Sequence, residues 1–145
     1  MIEKIKYAII GAGCMGQEHI LNIGIINDAE VVALCDTNDQ SIKESLELLK
    51  NEVAIFNNYN DLIEANIANA FIIATPNFTH IDVLKDVMKS EVHLLIEKPL
   101  CTTVKDCKEF EKLAENYPGV IWTAMEYRYM PPVQRMIKEI HNNTI

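Results

Sequence analysis

Six short apolar runs, alternating with segments of helical spacing, constrain the fold of this chain more than any other feature. Continuous apolar runs are typical of strands that are buried on both faces. Their alternation with helices indicates parallel pairing through right-handed crossovers. We therefore predict an α/β fold with a doubly wound parallel sheet in the order 3-2-1-4-5-6. The predicted strands are IKYAII (5–10), VVALC (31–35), VAIF (53–56), AFIIA (70–74), the run from Leu94 to Ile96, and VIWTA (120–124).

Apolar residues three or four positions apart predict the helices between these strands. A short helix over 61–65 and a last helix over 131–141, with proline in its first turn, complete the series. Thr103 is expected to cap the fifth helix, with Asp106 as an imperfect capping box. The predicted buried faces are Ile20, Leu21, Ile23 and Ile26 in 14–26, Ile42, Leu46 and Leu49 in 41–50, Ile81, Leu84, Val87 and Met88 in 80–90, and Cys107, Phe110, Leu113 and Ala114 after Thr103.

Composition bounds the class of protein. With 145 residues, 49% of them hydrophobic, the chain suits one globular domain. The net charge of −8 argues against nucleic acid or an anionic membrane as partner. The four cysteines form no Cys-x-x-Cys pair, so we expect no metal site and a reducing, cytoplasmic setting. The first ten residues are too charged for a signal peptide, and no apolar run approaches membrane-spanning length.

The segment GAGCMG (11–16), placed between the first strand and the first helix, fits the pattern G-x-G-x-x-G. In such a loop the first glycine permits a tight turn, the second lets the backbone approach a pyrophosphate, and the third lets the helix pack on the strand. The helix N-terminus adds free N–H donors. The alternatives are a plain glycine-rich turn and, for Cys14, a thiolate rather than a small loop side chain. We predict a phosphate loop formed by Gly11, Ala12, Gly13, Cys14, Met15 and Gly16.

Asp36 ends the second strand and is followed by Thr37. An acidic residue about 20 positions after the third glycine accepts hydrogen bonds from the adenosine ribose. Its carboxylate repels a 2′-phosphate, and no arginine follows in DTNDQ (36–40), so we predict NAD rather than NADP. The alternative is an aspartate that caps a helix or a turn.

Three more segments carry a family resemblance: ATPNFTH (74–80), EKPL (97–100) and YRYMP (127–131). Together with the glycine loop and Asp36, they resemble the glucose–fructose oxidoreductase / inositol dehydrogenase / rhizopine catabolism (Gfo/Idh/MocA) family over essentially the whole chain. EKP after the fifth strand is the most specific mark. The resemblance implies a Rossmann-fold oxidoreductase that uses NAD(P) and acts on sugars, cyclitols or related polyols.

The resemblance also implies a second, C-terminal domain that supplies most of the substrate pocket, a catalytic histidine and the oligomer interface. We therefore expect residues 1–124 to form the NAD(P)-binding domain and 125–145 a linker into a substrate domain absent from this chain. A homo-oligomer is expected only with that domain, and the isolated chain is expected to bind cofactor without turnover. The chain's own histidines do not match the catalytic one: His19, His80, His93 and His141.

Residue by residue, the resemblance assigns Lys98 as the catalytic group. A cation at that place lowers the energy of a developing alkoxide and can share in moving the hydroxyl proton. The alternative is a solvated lysine paired with Glu97, and for His80 a solvated residue in a first helical turn. Ala124 and Glu126 depart from the glycine and asparagine common in the family. The cofactor contacts that the resemblance assigns beyond the glycine loop and Asp36 are Ala74, Thr75, Pro76, Asn77, His80, Glu97, Lys98, Glu126 and Arg128.

Two other functions fit parts of these patterns. A nucleotide-sensing regulator would keep the fold without catalysis, but it has no need of Lys98. A different Rossmann enzyme is disfavoured by ATPNFTH followed by EKP. The sequence therefore favours an NAD-dependent dehydrogenase of sugars, cyclitols or polyols over both.

Overall fold

The computed structural model describes residues 4–144, so residues 1–3 and 145 of the two predicted domains lie outside the described part. Strands and helices alternate along the chain. Short 3-10 turns stand at Asn77–Thr79, Met88–Ser90 and Glu126–Tyr129. The elements are β1 Ile5–Ile10, α1 Cys14–Ile23, β2 Ala29–Cys35, α2 Asp39–Leu48, β3 Ala54–Phe56, α3 Tyr59–Ala65, β4 Ala70–Ile73, α4 His80–Val87, β5 His93–Ile96, α5 Val104–Ala114, β6 Ile121–Thr123 and α6 Pro131–His141.

The six strands form one sheet in the order β3-β2-β1-β4-β5-β6, and every pair of neighbours is parallel. The predicted fold class and strand order are therefore confirmed. β1 and β4 are neighbours at the centre, where the strand order reverses. The loops that leave their carboxyl ends are consequently the place where a ligand is expected.

Apolar layers lie on both faces of the sheet. On one face, α1 and α2 contribute Ile20, Ile23 and Ile42 to a cluster with strand residues such as Ile9 and Leu34. On the other face, a second cluster takes its residues from α3, α4 and α5. Helices on both faces explain why the central strands are continuous apolar runs.

Some predicted buried faces are wrong. In α1, Leu21 is 49% exposed, because it lies one position round the helix from the buried Ile20, and Ile26 lies beyond the helix end at Ile23. In α2 the buried positions are Ile42 and Ser45, while Leu46 faces outward. A helix packs only a stripe of its surface, so positions adjacent to that stripe stay exposed.

In α5, the predicted cap is correct but the predicted buried face is mostly wrong. Its predicted cap is confirmed: Thr103 Oγ1 accepts from the Asp106 N–H at 3.1 Å and lies 2.7 Å from Asp106 Oδ2. Of its predicted buried face, however, only Phe110 is buried, whereas Cys107 and Leu113 are exposed. In α4, by contrast, all four predicted face residues (Ile81, Leu84, Val87 and the following Met88) are buried.

Candidate active site

A cleft of about 520 Å³ opens at the carboxyl ends of β1, β2 and β4, where the strand order reverses. Its walls are the glycine loop, the turn after β2 and the loop after β4. Nine predicted cofactor residues meet here, although the sequence spreads them over 66 positions from 11 to 76. Those nine are Gly11, Gly13, Cys14, Met15, Asp36, Thr37, Ala74, Thr75 and Pro76.

The three glycines of the loop have different surroundings. Gly11 has φ +99°, and a Cβ there would lie 2.5 Å from the carbonyl carbon and oxygen of Ala74. A Cβ on Gly16 would lie 2.1 Å from the Gly11 carbonyl oxygen. Among residues 4–144, no atom stands within 4 Å of a Cβ built on Gly13. The first and third glycines are therefore needed by the fold, while the second leaves an open surface on the cleft.

The start of α1 is suited to an anionic ligand. Gly13 is the N-cap residue, no side chain caps the helix, and no acidic residue lies in its first turn. The free N–H groups and the positive dipole end therefore face the open surface at Gly13. A dinucleotide pyrophosphate fits these residues in both shape and charge.

Asp36 closes the cleft beside this loop. Its Oδ2 accepts from the Ala12 N–H at 2.7 Å, and its Oδ1 accepts from the Asn38 N–H at 2.9 Å. The bond from the Asn38 N–H is typical of an aspartate that caps a turn. Asp36 therefore does cap the turn after β2, as the alternative interpretation expected. Each carboxylate oxygen has a further lone pair, which leaves room to accept from a ribose hydroxyl.

Ser45 holds the same loop from beneath. Its side chain is fully buried, and its hydroxyl donates to the Ala12 carbonyl at 2.9 Å. Ala12 is thus fixed by Asp36 at its N–H and by Ser45 at its C=O. Ser45 was not among the predicted site residues. The only available signal was a small polar residue on the stripe of α2 that also carries Ile42.

His80, the first residue of α4, is buried at 1% exposure, so the interpretation as a solvated residue is wrong. Its Nε2 lies 3.0 Å from the carbonyl oxygen of Thr75, and its Nδ1 lies 3.1 Å from that of Pro99. The ring therefore joins the loop after β4 to the loop after β5. Both ring nitrogens face the protein backbone, which leaves neither of them for a cofactor.

Glu97, Lys98 and Pro99 follow directly after β5, and the Lys98–Pro99 peptide bond is cis. Glu97 is buried, and its Oε1 lies 2.8 Å from Nε2 of His19 in α1. Its other oxygen accepts from the Lys98 backbone N–H at 3.2 Å. The carboxylate therefore pairs with His19 rather than with the lysine ammonium. Lys98 itself is exposed, and no ion pair of residues 4–144 includes it.

The comparison with family models identifies the chain. A model described as an oxidoreductase family with an NAD-binding Rossmann fold, GFO_IDH_MocA, matches residues 5–125. The chain belongs to this family. The match confirms the predicted family and the predicted cofactor, NAD, whereas the assignment of the glycine loop and Asp36 to the NAD site stays a prediction.

Curated relatives share the family. The chain is 27% identical over 139 residues to the rhizopine catabolism protein MocA of Rhizobium meliloti, which covers 96% of this chain and 43% of that protein. It is 36% identical over 101 residues to the inositol 2-dehydrogenase of Arthrobacter sp. (strain FB24), covering 69% of this chain and 30% of the relative. The chain thus spans less than half the length of these relatives.

Solved structures have the same architecture. The WlbA dehydrogenase from Bordetella pertussis, in complex with NADH and UDP-GlcNAcA, superposes with a TM-score of 0.88 at 25% identity. The match covers 97% of this chain and 42% of that one. Scyllo-inositol dehydrogenase from Lactobacillus casei, with bound NAD(H) and scyllo-inositol, has a TM-score of 0.89 at 18% identity, which shows the shared fold.

Several assigned residues of this Gfo/Idh/MocA domain lie outside the cleft lining. Asn77 is exposed at the start of a 3-10 turn. Glu126 and Arg128 are exposed in the 3-10 turn after β6. The Arg128 carbonyl accepts from the Gln134 side chain, which ties this turn to α6. Any cofactor contact of Glu126 or Arg128 is therefore still a prediction.

The cleft also contains residues that sequence reasoning missed. Asn38 caps α2 by accepting from the N–H groups of Gln40 and Ser41. Asn57 follows the carboxyl end of β3, and Tyr59 donates its hydroxyl to Asp86 at 3.2 Å. The usable signal was position, because each of these residues follows a strand whose carboxyl end points to the same edge. The additional lining residues are Ile10, Cys35, Asn38, Ser41, Asn57 and Tyr59.

Two of these additional lining groups have perturbed acidities. Burial, followed by the nearby Asp36 and Asp61 charges, raises the pKa of the Cys35 thiol to about 11. Burial, followed by the hydrogen bond to Asp86, raises the pKa of the Tyr59 hydroxyl. Both shifts favour the neutral form, so the anionic groups in this part of the cleft are carboxylates.

Two features are absent from residues 4–144. In that part of the chain, no group of three or more His, Cys, Asp or Glu side chains is arranged to hold a metal ion. No helix among the same residues is long and apolar enough to cross a membrane.

Proposed function

We propose that this chain is the cofactor-binding part of an NAD-dependent dehydrogenase of sugars, cyclitols or related polyols. The observation that carries the proposal is the EKP turn, which stands at the same sheet edge as the glycine loop. Lys98 follows β5 at this edge, and its ammonium is free of ion pairs within the described residues, which supports a role for it next to a bound nicotinamide. The names of the relatives, inositol 2-dehydrogenase among them, support the substrate class.

Each residue has a defined role in this proposal. The N–H groups at the start of α1 bind the pyrophosphate, and Asp36 accepts from the adenosine ribose. NAD, when bound, supplies the hydride acceptor. The Lys98 ammonium stabilises the negative charge that develops on the substrate oxygen, while a basic group of the second domain accepts the hydroxyl proton. The hydrogen bonds of the carboxylate of Glu97 to His19 and to the Lys98 backbone leave the ammonium available for this work.

We further propose that residues 125–144 lead into a second domain that completes the substrate pocket and provides any oligomer interface. The coverage of less than half of each relative supports this division. So does α6, in which none of residues 131–141 is buried and both Met136 and Ile140 are half exposed. All four cysteines are free thiols, which supports the reducing setting of the cytoplasm.

The test is turnover by the full-length protein. NADH formation should be followed by absorbance with a panel of cyclitols, sugars and linear polyols. Lys98→Met should retain NAD binding and lose at least about 100-fold in kcat, in line with the loss of one acid–base or charge-stabilising group. Lys105→Met, which removes an exposed lysine of α5, is the matched control and should behave as wild type.

Three results separate the candidates. NAD binding with no turnover on any substrate would favour the nucleotide-sensing regulator. Near-normal kcat in Lys98→Met would remove the catalytic role of that lysine. Binding of NADP in preference to NAD would contradict the assignment of Asp36.

A further inference from the structure

The two residues next to Lys98 in the sequence, Glu97 and Pro99, are each contacted by a histidine. His19 contacts the side chain of Glu97, and His80 contacts the carbonyl of Pro99. We propose that His19 and His80 are positioning residues that fix the Lys98 backbone from both sides and so hold its ammonium toward the substrate. The proposal rests on the proposed function of Lys98 and assigns the means by which that residue is placed.

Lys98 needs such support because few contacts of its own side chain fix its position. The residue is exposed, and the ion pairs among residues 4–144 do not include it. A lysine ammonium on a flexible four-carbon stem is a mobile point charge. Its position must therefore be set by the backbone from which it projects, and that backbone is held through residues 97 and 99.

His80 fixes the C-terminal side of the lysine. Its ring is buried and faces two carbonyl oxygens, of Thr75 at 3.0 Å and of Pro99 at 3.1 Å. A carbonyl oxygen only accepts, so either neutral tautomer donates to one loop and a doubly protonated ring donates to both. The buried His80 ring therefore lies between the loop after β5 and the loop after β4 and donates to at least one of them, and the loop after β4 itself packs against Gly11.

His19 fixes the N-terminal side. Its Nε2 lies 2.8 Å from Glu97 Oε1, and the two side chains are 15% and 7% exposed. The other Glu97 oxygen accepts from the Lys98 N–H at 3.2 Å. His19 is carried by α1, the helix that begins at the phosphate loop. The helix that would hold the pyrophosphate thus also holds the turn that presents the lysine.

The first experiment measures kinetics in the full-length protein. His80→Phe removes the ring nitrogens that face the Thr75 and Pro99 carbonyls at similar volume, and His19→Leu removes the contact with Glu97. Each should lower kcat by about 100-fold, the usual effect of misplacing a reacting group by about 1 Å, with the KM for NAD changed less than about threefold. His80→Gln and His19→Gln keep one donor and should recover part of kcat. His141→Gln, at the exposed end of α6, is the control and should match wild type.

A second experiment tests the same contacts by hydrogen exchange, which does not depend on enzyme activity. In the 145-residue chain, hydrogen exchange of the Lys98 amide should accelerate about tenfold in His19→Leu, because the carboxylate that accepts from it is released. His19→Gln should restore slow exchange, and melting temperatures check that each variant is folded.

The outcomes are separable. If wild type turns over no polyol but exchange at Lys98 responds as expected, the proposed function fails and the positioning role stands. If the folded leucine and phenylalanine variants keep wild-type kcat, or if exchange at Lys98 is unchanged in His19→Leu, the positioning role is wrong. An equal loss of kcat in the glutamine variants would also overturn it, because the donors would then not matter.

Discussion

A methyl group added at Gly11 or at Gly13 should have opposite consequences, although the two residues lie in one loop. At Gly11 the φ of +99° is left-handed, and the new Cβ would lie 2.5 Å from Ala74 backbone atoms. The conformation costs roughly 1–2 kcal/mol, and forcing backbone apart costs about 1–3 kcal/mol more. Gly11→Ala should therefore lose about 2–5 kcal/mol of a typical unfolding free energy of about 5–15 kcal/mol.

Gly13→Ala should spare the fold. Its φ of −75° suits any residue, and no atom of the described part of the chain lies within 4 Å of the added Cβ. Alanine is a poorer N-cap residue than glycine but reduces the entropy of the unfolded chain, so stability should change by less than about 1 kcal/mol. The methyl group would stand on the surface that a pyrophosphate approaches. NAD affinity should therefore fall at least about tenfold, which equals about 1.4 kcal/mol.

The assay measures both quantities on the same samples. Urea unfolding followed by circular dichroism gives stability, and calorimetric titration with NAD gives affinity. Gly24→Ala is the matched control, because Gly24 has φ −59° at the far end of α1 and should affect neither quantity strongly. Wild-type NAD affinity in Gly13→Ala would refute the phosphate loop. Wild-type stability in Gly11→Ala would refute the packing argument.

Three further predictions concern stability. Ser45→Ala should cost about 1–3 kcal/mol in urea unfolding, because it removes the buried donor to the Ala12 carbonyl, and an unchanged midpoint would contradict this. Thr103→Ala should cost about 1 kcal/mol through loss of the α5 cap, whereas the neighbouring exposed Thr102→Ala should cost almost nothing. The raised pKa of Cys35 means that the unfolded thiol ionises first. The contribution of Cys35 to the unfolding free energy should therefore be fully present below pH 9 and be lost as the pH rises toward 11. Over the same pH range, the unfolding free energy of Cys35→Ala should decline less than that of the wild type.

The strand order and the position of the glycine loop between β1 and α1 were predictable because both depend on local patterns. Apolar runs such as AFIIA indicate burial on two faces, and a glycine motif after a strand marks the turn into a helix. Helix faces were predictable only where the stripe is unambiguous. In α4, four apolar residues define the buried stripe. In α2, the small Ser45 occupies the buried position, and the prediction wrongly placed its apolar neighbour Leu46 there.

The polar contacts of the site could not be read from the sequence, since they join residues that lie far apart in the chain. His19 and Glu97 are 78 positions apart, and Ser45 and Ala12 are 33 positions apart. The spacing of apolar residues in the sequence does not indicate which polar residues pair. A histidine in a predicted helix could equally well be exposed to solvent. The parallel sheet creates these pairs by bringing all strand ends to one edge, where buried polar groups must find partners. Topology therefore decides which polar residues become neighbours, and within residues 4–144 Glu97 pairs with His19 rather than with Lys98.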